Sequence, residues 1–387
     1  MTSRYLWYVP NQTVPGHRGD EIRPDHNSLE TLTEHARAVE RHGWEGALIG
    51  TGWSRPDTFT VGATLAARTE TFKPLIAARP GYWHPANFAA ATSTLDHLTG
   101  GRVLVNIVTG TDDPDAYGDT LTDRAGRYAR TAEFLHVVRR LWTETSVTHH
   151  GRYYQLDDAT LGIAPRGTEQ RGHPTLYFGG ASEEAERVAA AEADVQLFWG
   201  ETYAAIHERI QRLKALSEEL DRQHPPLEFG LRTTVVVRDT SEEAWEDARA
   251  RVATMARNDA GHWRRTREKG RGQLGSVGQE RLEALGAEDE VLDDVLYTAP
   301  SRVGGGGAGT TWLVGSYQEV ANALEKYRSL GITHFVLSDT PYLREIPRVG
   351  DHVLPLLRAA ESAQAAEHHS TTENTTVHSP TLVQGTL

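Results

Sequence analysis

Short apolar runs alternate with amphipathic stretches along most of the chain. The clearest example is the stretch 94–110, TLDHLTGGRVLVNIVTG. Leu95 and Leu98 have helical spacing before Gly100, and a nearly unbroken apolar run follows at 103–108. Glycine readily takes the left-handed conformation that ends a helix, and a continuous apolar run is typical of a strand covered on both faces of a parallel sheet. The stretch therefore predicts a helix followed by a buried strand.

Eight strand-like runs of this kind occur in the chain. They lie at 5–9, 47–49, 74–78, 103–108, 176–178, 195–198, 229–237 and 334–338. Helical patterns separate nearly all of them, and this alternation predicts an α/β fold of the (β/α)8 TIM-barrel type. An open doubly wound sheet is the alternative. The first strand is not followed by G-x-G-x-x-G, which weakens a dinucleotide-binding form of that alternative.

Two insertions and a tail depart from the alternation. Residues 146–173 contain several turn formers and predict a short excursion with a small hairpin. Residues 257–312, between strands seven and eight, are too long for an ordinary connection and predict an insertion that acts as a mobile lid. A last helix is expected at 351–365. We therefore predict one domain over 1–365 and a disordered tail at 366–387, which is rich in Thr, Ser, His and Asn.

The composition excludes several classes of function. A formal net charge of -13 argues against nucleic acid and an anionic membrane surface as partners, because both attract basic patches. The absence of cysteine excludes disulfides, thiolate metal sites and a cysteine nucleophile. Neither a membrane span nor a signal peptide is recognisable. Adjacent histidine pairs lack the spacing of metal ligands, so no metal site is predicted. We expect a cytoplasmic protein.

The best candidate for an anion site is the turn from Gly179 to Ser182. It lies between the end of a strand and the start of a helix, where free backbone N–H groups and the helix dipole favour a phosphate. A plain, well-capped turn would have the same sequence. Arg232 lies in the middle of an apolar strand, where burial is costly unless the guanidinium meets an anion or a structural carboxylate.

Ordered motifs along the chain resemble the bacterial luciferase-like flavin monooxygenases, and within them the reduced-FMN-dependent alkanesulfonate monooxygenases. The motifs are WYVP at 7–10, GALIGTG at 46–52, TLDHLTGGRVLVNIVTG at 94–110, RY at 127–128, LYFGGAS at 176–182, FWGE at 198–201, FGLRTTVVVRDTSEEAW at 229–245, GGAGT at 306–310, FVLSDTPYL at 335–343 and RVG at 348–350. The resemblance spans nearly the whole chain before the tail.

The resemblance implies a two-component enzyme. Reduced FMN would come from a separate NAD(P)H-dependent flavin reductase, react with O2 at the flavin C4a carbon, and deliver the resulting peroxide to a small organic substrate. The resemblance also implies a homo-oligomer, a dimer or a tetramer. The implied cofactor-binding residues are Asp57, Asn106, Thr109, Arg124, Tyr128, Gly180, Ala181 and Ser182. The implied catalytic residues are Arg232, Tyr128 and Thr234, and the implied substrate-binding residues are Arg55, Trp199, Arg232, Arg302, Thr340 and Tyr342.

Several pocket positions depart from the alkanesulfonate monooxygenase pattern. Arg55 replaces a cysteine, Thr234 replaces a histidine, and Arg302 lies three residues before the position of the lid arginine. Thr340 and Tyr342 stand where that group has tyrosine and histidine. Arginines at 55, 232 and 302 still favour an anionic substrate, and desulfonation of an alkanesulfonate to aldehyde and sulfite is one interpretation. N-oxidation or Baeyer–Villiger chemistry, a deazaflavin-dependent oxidoreductase, and a non-catalytic flavin-binding protein also fit the sequence.

Overall fold

The structure, a computed structural model, describes residues 3–11, 24–52, 55–109, 118–120, 123–167, 171–259, 276–303 and 310–376. The strands are β1 (Arg4–Val9), β2 (Gly46–Ile49), β3 (Lys73–Ala78), β4 (Leu104–Ile107), β5 (Val147–His150), β6 (Gln155–Ala159), β7 (Thr175–Gly179), β8 (Val195–Trp199), β9 (Glu228–Arg238), β10 (Val291–Leu292), β11 (Leu296–Tyr297), β12 (Trp312–Ser316) and β13 (Ile332–Ser338).

Helices follow most of the strands. They are α1 (Leu29–Arg41), α2 (Thr58–Ala66), α3 (Pro85–Thr99), α4 (Arg124–Thr143), α5 (Glu183–Glu192), α6 (Tyr203–Glu219), α7 (Ser241–Asp259), α8 (Val277–Glu288), α9 (Pro300–Val303), α10 (Tyr317–Ser329), α11 (Tyr342–His352) and α12 (Leu354–Thr376). Within the described residues, no helix is both long enough and apolar enough to cross a membrane.

Eight parallel strands close into a barrel. Their order is β1-β2-β3-β4-β7-β8-β9-β13, and β13 pairs with β1 again. Because β9 pairs with both β8 and β13, the sheet has no gap. These strands are the eight predicted from the apolar runs, so the TIM-barrel prediction is confirmed and the open sheet is wrong.

The strands alternate between two apolar layers. Leu6 and Tyr8 of β1 pack with Leu48, Leu75 and Leu104 in the barrel interior, whereas the intervening residues of β1 pack in the outer layer with the surrounding helices. This is the period of two that a strand imposes on its side chains. Inward residues near the carboxyl ends of the strands are therefore placed around the mouth of the barrel, where active sites of this fold lie.

The predicted excursion at 146–173 contains the antiparallel hairpin of β5 and β6, as expected. The predicted lid at 257–312 has more regular structure than its sequence indicates. Its described part contains α8, α9 and the short strands β10 and β11, and it ends at the start of β12, which pairs parallel to the second half of β9. Two-residue strands carry no readable period, which explains why the sequence pattern does not reveal them. Residues 260–275 and 304–309 lie outside the described residues.

The last predicted helix, 351–365, is wrong in its boundaries. The structure has two helices, α11 from Tyr342 and α12 to Thr376, with Val353 between them. Pro347 lies inside α11, and proline normally argues against a helix interior because it lacks the N–H donor. The predicted tail from 366 thus overlaps α12, and residues 377–387 lie outside the described residues.

Candidate active site

A tight turn joins β7 to α5 at the carboxyl end of the barrel. Ser182 is the N-cap of α5, and its hydroxyl accepts a hydrogen bond from the N–H of Ala185 at 3.2 Å. Gly180 has a φ of +153°, and a Cβ atom built on it would lie 2.6 Å from the Cβ of Ala185. A side chain at position 180 would therefore push α5 away from the turn. Glycine lets the first turn of the helix close directly onto the backbone of the predicted phosphate site.

Three other elements surround this turn. A Cβ built on Gly278, in the first turn of α8, would lie 3.8 Å from both the Cβ of Ala181 and the Cε3 of Trp199. The hydroxyl of Tyr128 lies 3.5 Å from the Cβ position of Gly180. The structure thus brings the predicted residues Gly180, Ala181, Tyr128 and Trp199 together. It adds α8, which no sequence motif assigned to the site.

Among the predicted cofactor residues, Asn106 has the surroundings that most clearly suit a ligand. It lies in β4 two residues after Leu104, which faces the barrel interior, and its register partners Ala77 and Tyr177 belong to the same interior layer. The residue is 5 % exposed. Its Oδ1 atom is buried and has no hydrogen-bond partner among the described residues. An unsatisfied buried amide costs about 1–3 kcal/mol, so this oxygen is suited to accept a hydrogen bond from a ligand.

The remaining predicted cofactor residues lie near the same end of the barrel. Asp57 is exposed and caps α2, accepting hydrogen bonds from the N–H and the hydroxyl of Thr60, both at 2.7 Å. Thr109 is half-buried just beyond β4, and Arg124 is the first residue of α4. Trp53, a residue of the polar tip after β2, lies outside the described residues.

Two arginines meet at one tyrosine in the mouth of the barrel. Arg55 donates a hydrogen bond from Nη1 to the hydroxyl of Tyr8 at 2.8 Å. The Cζ atom of Arg232 lies 5.6 Å from the centroid of the same ring, within cation–π range. The ring of Tyr342 lies against Tyr8 as well, with centroids 5.6 Å apart. The predicted substrate residues Arg55, Arg232 and Tyr342 are therefore one cluster around Tyr8, which we call the arginine cluster.

Trp199 connects the turn with the arginine cluster. It is paired in register with Arg232 across β8 and β9, so the two side chains emerge on the same face of neighbouring strands. The same indole is beside Gly278 of α8. A molecule lying between the Gly180 turn and the arginine cluster would therefore contact Trp199.

Three predicted residues have contacts elsewhere. Thr234 is buried, with its hydroxyl 3.4 Å from that of Ser338. The carbonyl and hydroxyl of Thr340 accept hydrogen bonds from Arg251 of α7 at 3.0 and 3.3 Å. Arg302 is exposed in α9, and its Cγ lies 3.1 Å from the Cβ position of Gly286 in α8. The described contacts of these residues thus support neighbouring elements rather than the arginine cluster.

Sequence reasoning missed a buried polar network beneath the turn. The carbonyl of Gly180 accepts hydrogen bonds from Gln196 Nε2 at 2.9 Å and Arg209 Nη2 at 3.0 Å. Arg209 also pairs with Glu201 at 2.6 Å and with Glu186 at 3.1 Å. The FWGE motif contains Glu201, but Arg209 lies in a helix with many charged residues and has no distinguishing spacing.

Shifted pKa values also occur away from the mouth of the barrel, around Glu228, the first residue of β9. Burial opposes the charged form of Glu228, but hydrogen bonds from His334 and Arg171 outweigh it and lower the pKa of Glu228 to about 2. Burial lowers the pKa of His334, and burial raises the pKa of Tyr177 to about 12. The Tyr177 hydroxyl lies 2.8 Å from Nδ1 of His334. A neutral imidazole of His334 that accepts a hydrogen bond from Tyr177 and donates one to Glu228 satisfies all these contacts. These three side chains therefore have a structural role.

Known proteins share this architecture. A riboflavin lyase (RcaE), solved with modified FMN and the substrate riboflavin, is 18% identical with a TM-score of 0.72, covering 93% of this chain and 92% of that one. The EDTA monooxygenase (EmoA) from Chelativorans sp. BNC1 is 17% identical with a TM-score of 0.70, covering 93% and 95%. A long-chain alkane monooxygenase (LadA) is 17% identical with a TM-score of 0.71, covering 93% and 92%.

At these identities the solved structures show the fold alone. The sequence profile of the luciferase-like monooxygenases is more decisive, because it matches residues 4–334. That range begins with β1 and ends within β13, so it contains seven barrel strands and the start of the eighth, together with the Gly180 turn and both arginines of the arginine cluster. The chain belongs to the luciferase-like monooxygenase family.

Proposed function

We propose that the protein is a reduced-FMN-dependent monooxygenase that uses O2 to oxidise a small anionic organic substrate, with alkanesulfonates as the first class to test. A separate NAD(P)H-dependent flavin reductase would supply the reduced FMN. The observation that carries the proposal is the meeting of the Gly180 turn, Tyr128, Trp199 and the first turn of α8 at the mouth of a luciferase-like barrel.

The Gly180 turn suits the FMN phosphate. Ser182 and Ser276 are the N-caps of α5 and α8, so two helices begin beside Ala181. Helix N-termini present unsatisfied backbone N–H groups and a positive dipole end, which together favour a phosphate. Neighbouring atoms occupy the place that a Cβ of residue 180 would take. Glycine at this position therefore leaves the backbone of the turn free to approach the ligand.

Asn106 suits the flavin ring. Its Oδ1 atom, which no described residue bonds, can accept a hydrogen bond from a ring N–H, which would remove the cost of burying the amide. Tyr128 beside Gly180 and Trp199 beside Gly278 provide aromatic surface for the ring. When bound, reduced FMN supplies the electrons that activate O2, while the protein contributes orientation and a site from which water is excluded.

The arginine cluster suits the anionic group of the substrate. Arg55 and Arg232 both contact Tyr8, so their positive charges lie close together in a half-buried site. An anion bound there would interact with both guanidinium groups, whose planar forks match carboxylate and sulfonate oxygens. The same cluster would also hold the anionic part of a substrate that is oxidised at nitrogen or at a carbonyl.

The test couples the purified protein to a flavin reductase with NAD(P)H, FMN and air. Alkanesulfonates of increasing chain length are scored for sulfite and aldehyde, and matched carboxylates, amines and ketones are scored for oxygenated products. Sulfite release that requires reductase, FMN and O2 would support the desulfonation form of the proposal. Oxygenated products without sulfite would replace it with N-oxidation or Baeyer–Villiger chemistry.

A binding measurement distinguishes a monooxygenase from a deazaflavin-dependent oxidoreductase and from a flavin-binding protein. The apoprotein is titrated anaerobically with reduced FMN and with a reduced deazaflavin. Preference for the deazaflavin, with hydride transfer and no need for O2, would contradict the monooxygenase proposal. Tight FMN binding without an oxygen-dependent product from any substrate in the panel would indicate a flavin-binding protein instead.

A further inference from the structure

We propose that Gln196 and Arg209 are positioning residues that fix the peptide between Gly180 and Ala181, so that the Ala181 N–H is aimed at the cofactor phosphate. Neither residue is expected to touch the cofactor. The inference rests on the proposed function, because it takes the Gly180 turn as the phosphate site.

The carbonyl of Gly180 is held from two directions. Gln196 in β8 donates from Nε2 at 2.9 Å, and Arg209 in α6 donates from Nη2 at 3.0 Å. In a trans peptide the C=O and the following N–H point in opposite directions. The Ala181 N–H therefore points away from both donors, and no hydrogen bond from it occurs within the described part of the chain.

This peptide needs to be held because Gly180 has no side chain to restrict it. Without a Cβ, glycine is conformationally permissive, so rotation about ψ of Gly180 could turn its carbonyl oxygen toward the phosphate. Two lone pairs facing an anion would repel it. Hydrogen bonds to both lone pairs of the Gly180 carbonyl stabilise the opposite orientation, in which the N–H donor faces the anion.

Arg209 is itself held rigidly. It is 2 % exposed, its Nη1 lies 2.6 Å from Glu201, and its Nε lies 3.1 Å from Glu186. The ring of Phe198 packs against the guanidinium, with the Cζ atom 4.6 Å from the ring centroid. Since guanidinium is planar and its donors have fixed directions, these contacts leave Nη2 pointing at the Gly180 carbonyl.

Glu201 extends the same network to α8. Its second oxygen accepts hydrogen bonds from Arg281 at 2.8 and 2.5 Å. One buried carboxylate therefore anchors both the arginine below the turn and the helix whose first turn lies beside Ala181. This arrangement predicts that the orientation of the turn peptide and the seating of α8 are set together.

The experiment compares the affinities for reduced FMN and reduced riboflavin, which differ by the phosphate alone. The variants are Gln196→Met, which keeps the side-chain volume without the donor, and Arg209→Lys, which keeps the charge without the planar fork. Arg212→Gln is the matched control. Arg212 lies in the same helix and bonds to Glu186 at 2.8 Å, but none of its described hydrogen bonds goes to Gly180.

We expect both variants to bind reduced FMN about tenfold more weakly, which equals about 1.4 kcal/mol. Riboflavin affinity should stay within about twofold, since it lacks the group that the peptide faces. The control should keep the FMN preference of the parent protein. Circular dichroism and thermal unfolding verify folding, and Gln196→Met decides the matter if Arg209→Lys does not fold.

Two results would overturn the inference. One is an unchanged ratio of FMN to riboflavin affinity in a folded Gln196→Met variant. The other is an equal loss of affinity for both flavins, which would indicate general damage to the site. If the parent protein itself binds FMN no better than riboflavin, the phosphate site of the proposed function fails instead.

Discussion

Replacement of Gly180 by alanine tests whether the turn has to be this close to α5. The added Cβ would lie 2.6 Å from the Cβ of Ala185, about 0.8 Å short of ordinary contact at 3.4 Å. Both atoms are attached directly to the backbone, so rotamer changes cannot relieve the clash. Overpacking of this kind costs about 1–3 kcal/mol, and relief requires α5 to move away from the turn.

Movement of α5 would also displace the N–H groups that we propose as the phosphate site. Loss of one hydrogen bond to a charged group costs about 1.5–3 kcal/mol, which corresponds to a roughly tenfold to hundredfold weaker binding of FMN. We therefore expect Gly180→Ala to lower the free energy of unfolding in urea and to weaken reduced FMN binding in an anaerobic fluorescence titration. Riboflavin should be affected less.

The adjacent glycine provides a matched control. A Cβ on Gly179 would meet the Cγ1 of Val108 at 3.9 Å, which is an ordinary contact. Gly179→Ala should therefore leave the free energy of unfolding close to that of the parent protein. Wild-type FMN affinity in Gly180→Ala, or an equal loss of stability in both variants, would refute the steric reasoning.

Three further predictions concern other parts of the molecule. Arg55→Met and Arg232→Met should each raise KM for an anionic substrate about tenfold to hundredfold, with little change for a neutral analogue, as measured by steady-state kinetics. Asn106→Leu should stabilise the apoprotein against urea by about 1 kcal/mol, because it removes a buried oxygen that has no hydrogen-bond partner among the described residues, and yet weaken flavin binding. Glu228→Gln should destabilise the protein by about 2–3 kcal/mol at pH 7 but much less near pH 3, as followed by urea unfolding across pH.

The sign of the last prediction follows from the lowered pKa of Glu228. A folded-state pKa of about 2, below the ordinary 4.5, contributes stability above pH 4.5 that is lost as the pH falls toward 2. Glu219→Gln is its control, because that carboxylate is 65% exposed in a surface pair with Arg187. Arg187→Met, at the other member of this surface pair, is the control for Arg55→Met and Arg232→Met. An effect of Glu228→Gln that does not depend on pH would contradict the role of its lowered pKa. An equal rise in KM for neutral substrates would contradict the role of the two arginines, and a destabilised Asn106→Leu variant would contradict the cost assigned to the buried oxygen.

The barrel could be predicted because its strands are buried on both faces. Continuous apolar runs such as that of β4 are easily recognised, and parallel pairing then brings their carboxyl ends together. The contacts between side chains of different strands and loops were harder to predict, as Tyr8 shows. It lies in the WYVP motif, and its alternation with Leu6 indicates an inward side chain, but nothing in the sequence shows that Arg55 and Arg232 both reach it.

The network below the turn was not predictable for a different reason. Gln196 and Arg209 act through hydrogen bonds to a carbonyl, and a backbone acceptor has no signature in the sequence. The predicted insertion ends at Trp312, the first residue of β12, and residues 313–316 form too short an apolar run to be recognised as a strand. Both errors concern contacts between segments that lie far apart along the chain.

The length of β9 has a consequence for engineering. It spans eleven residues, so its first half closes the barrel against β8 while its second half carries the ladder of β12, β11 and β10. The strand that bears Arg232 is thus also the strand with which the segment after α8 pairs. A chimera of two relatives should transplant residues 228–316 as a single segment, since a junction inside it would separate β9 from the strands β10, β11 and β12 that continue its sheet.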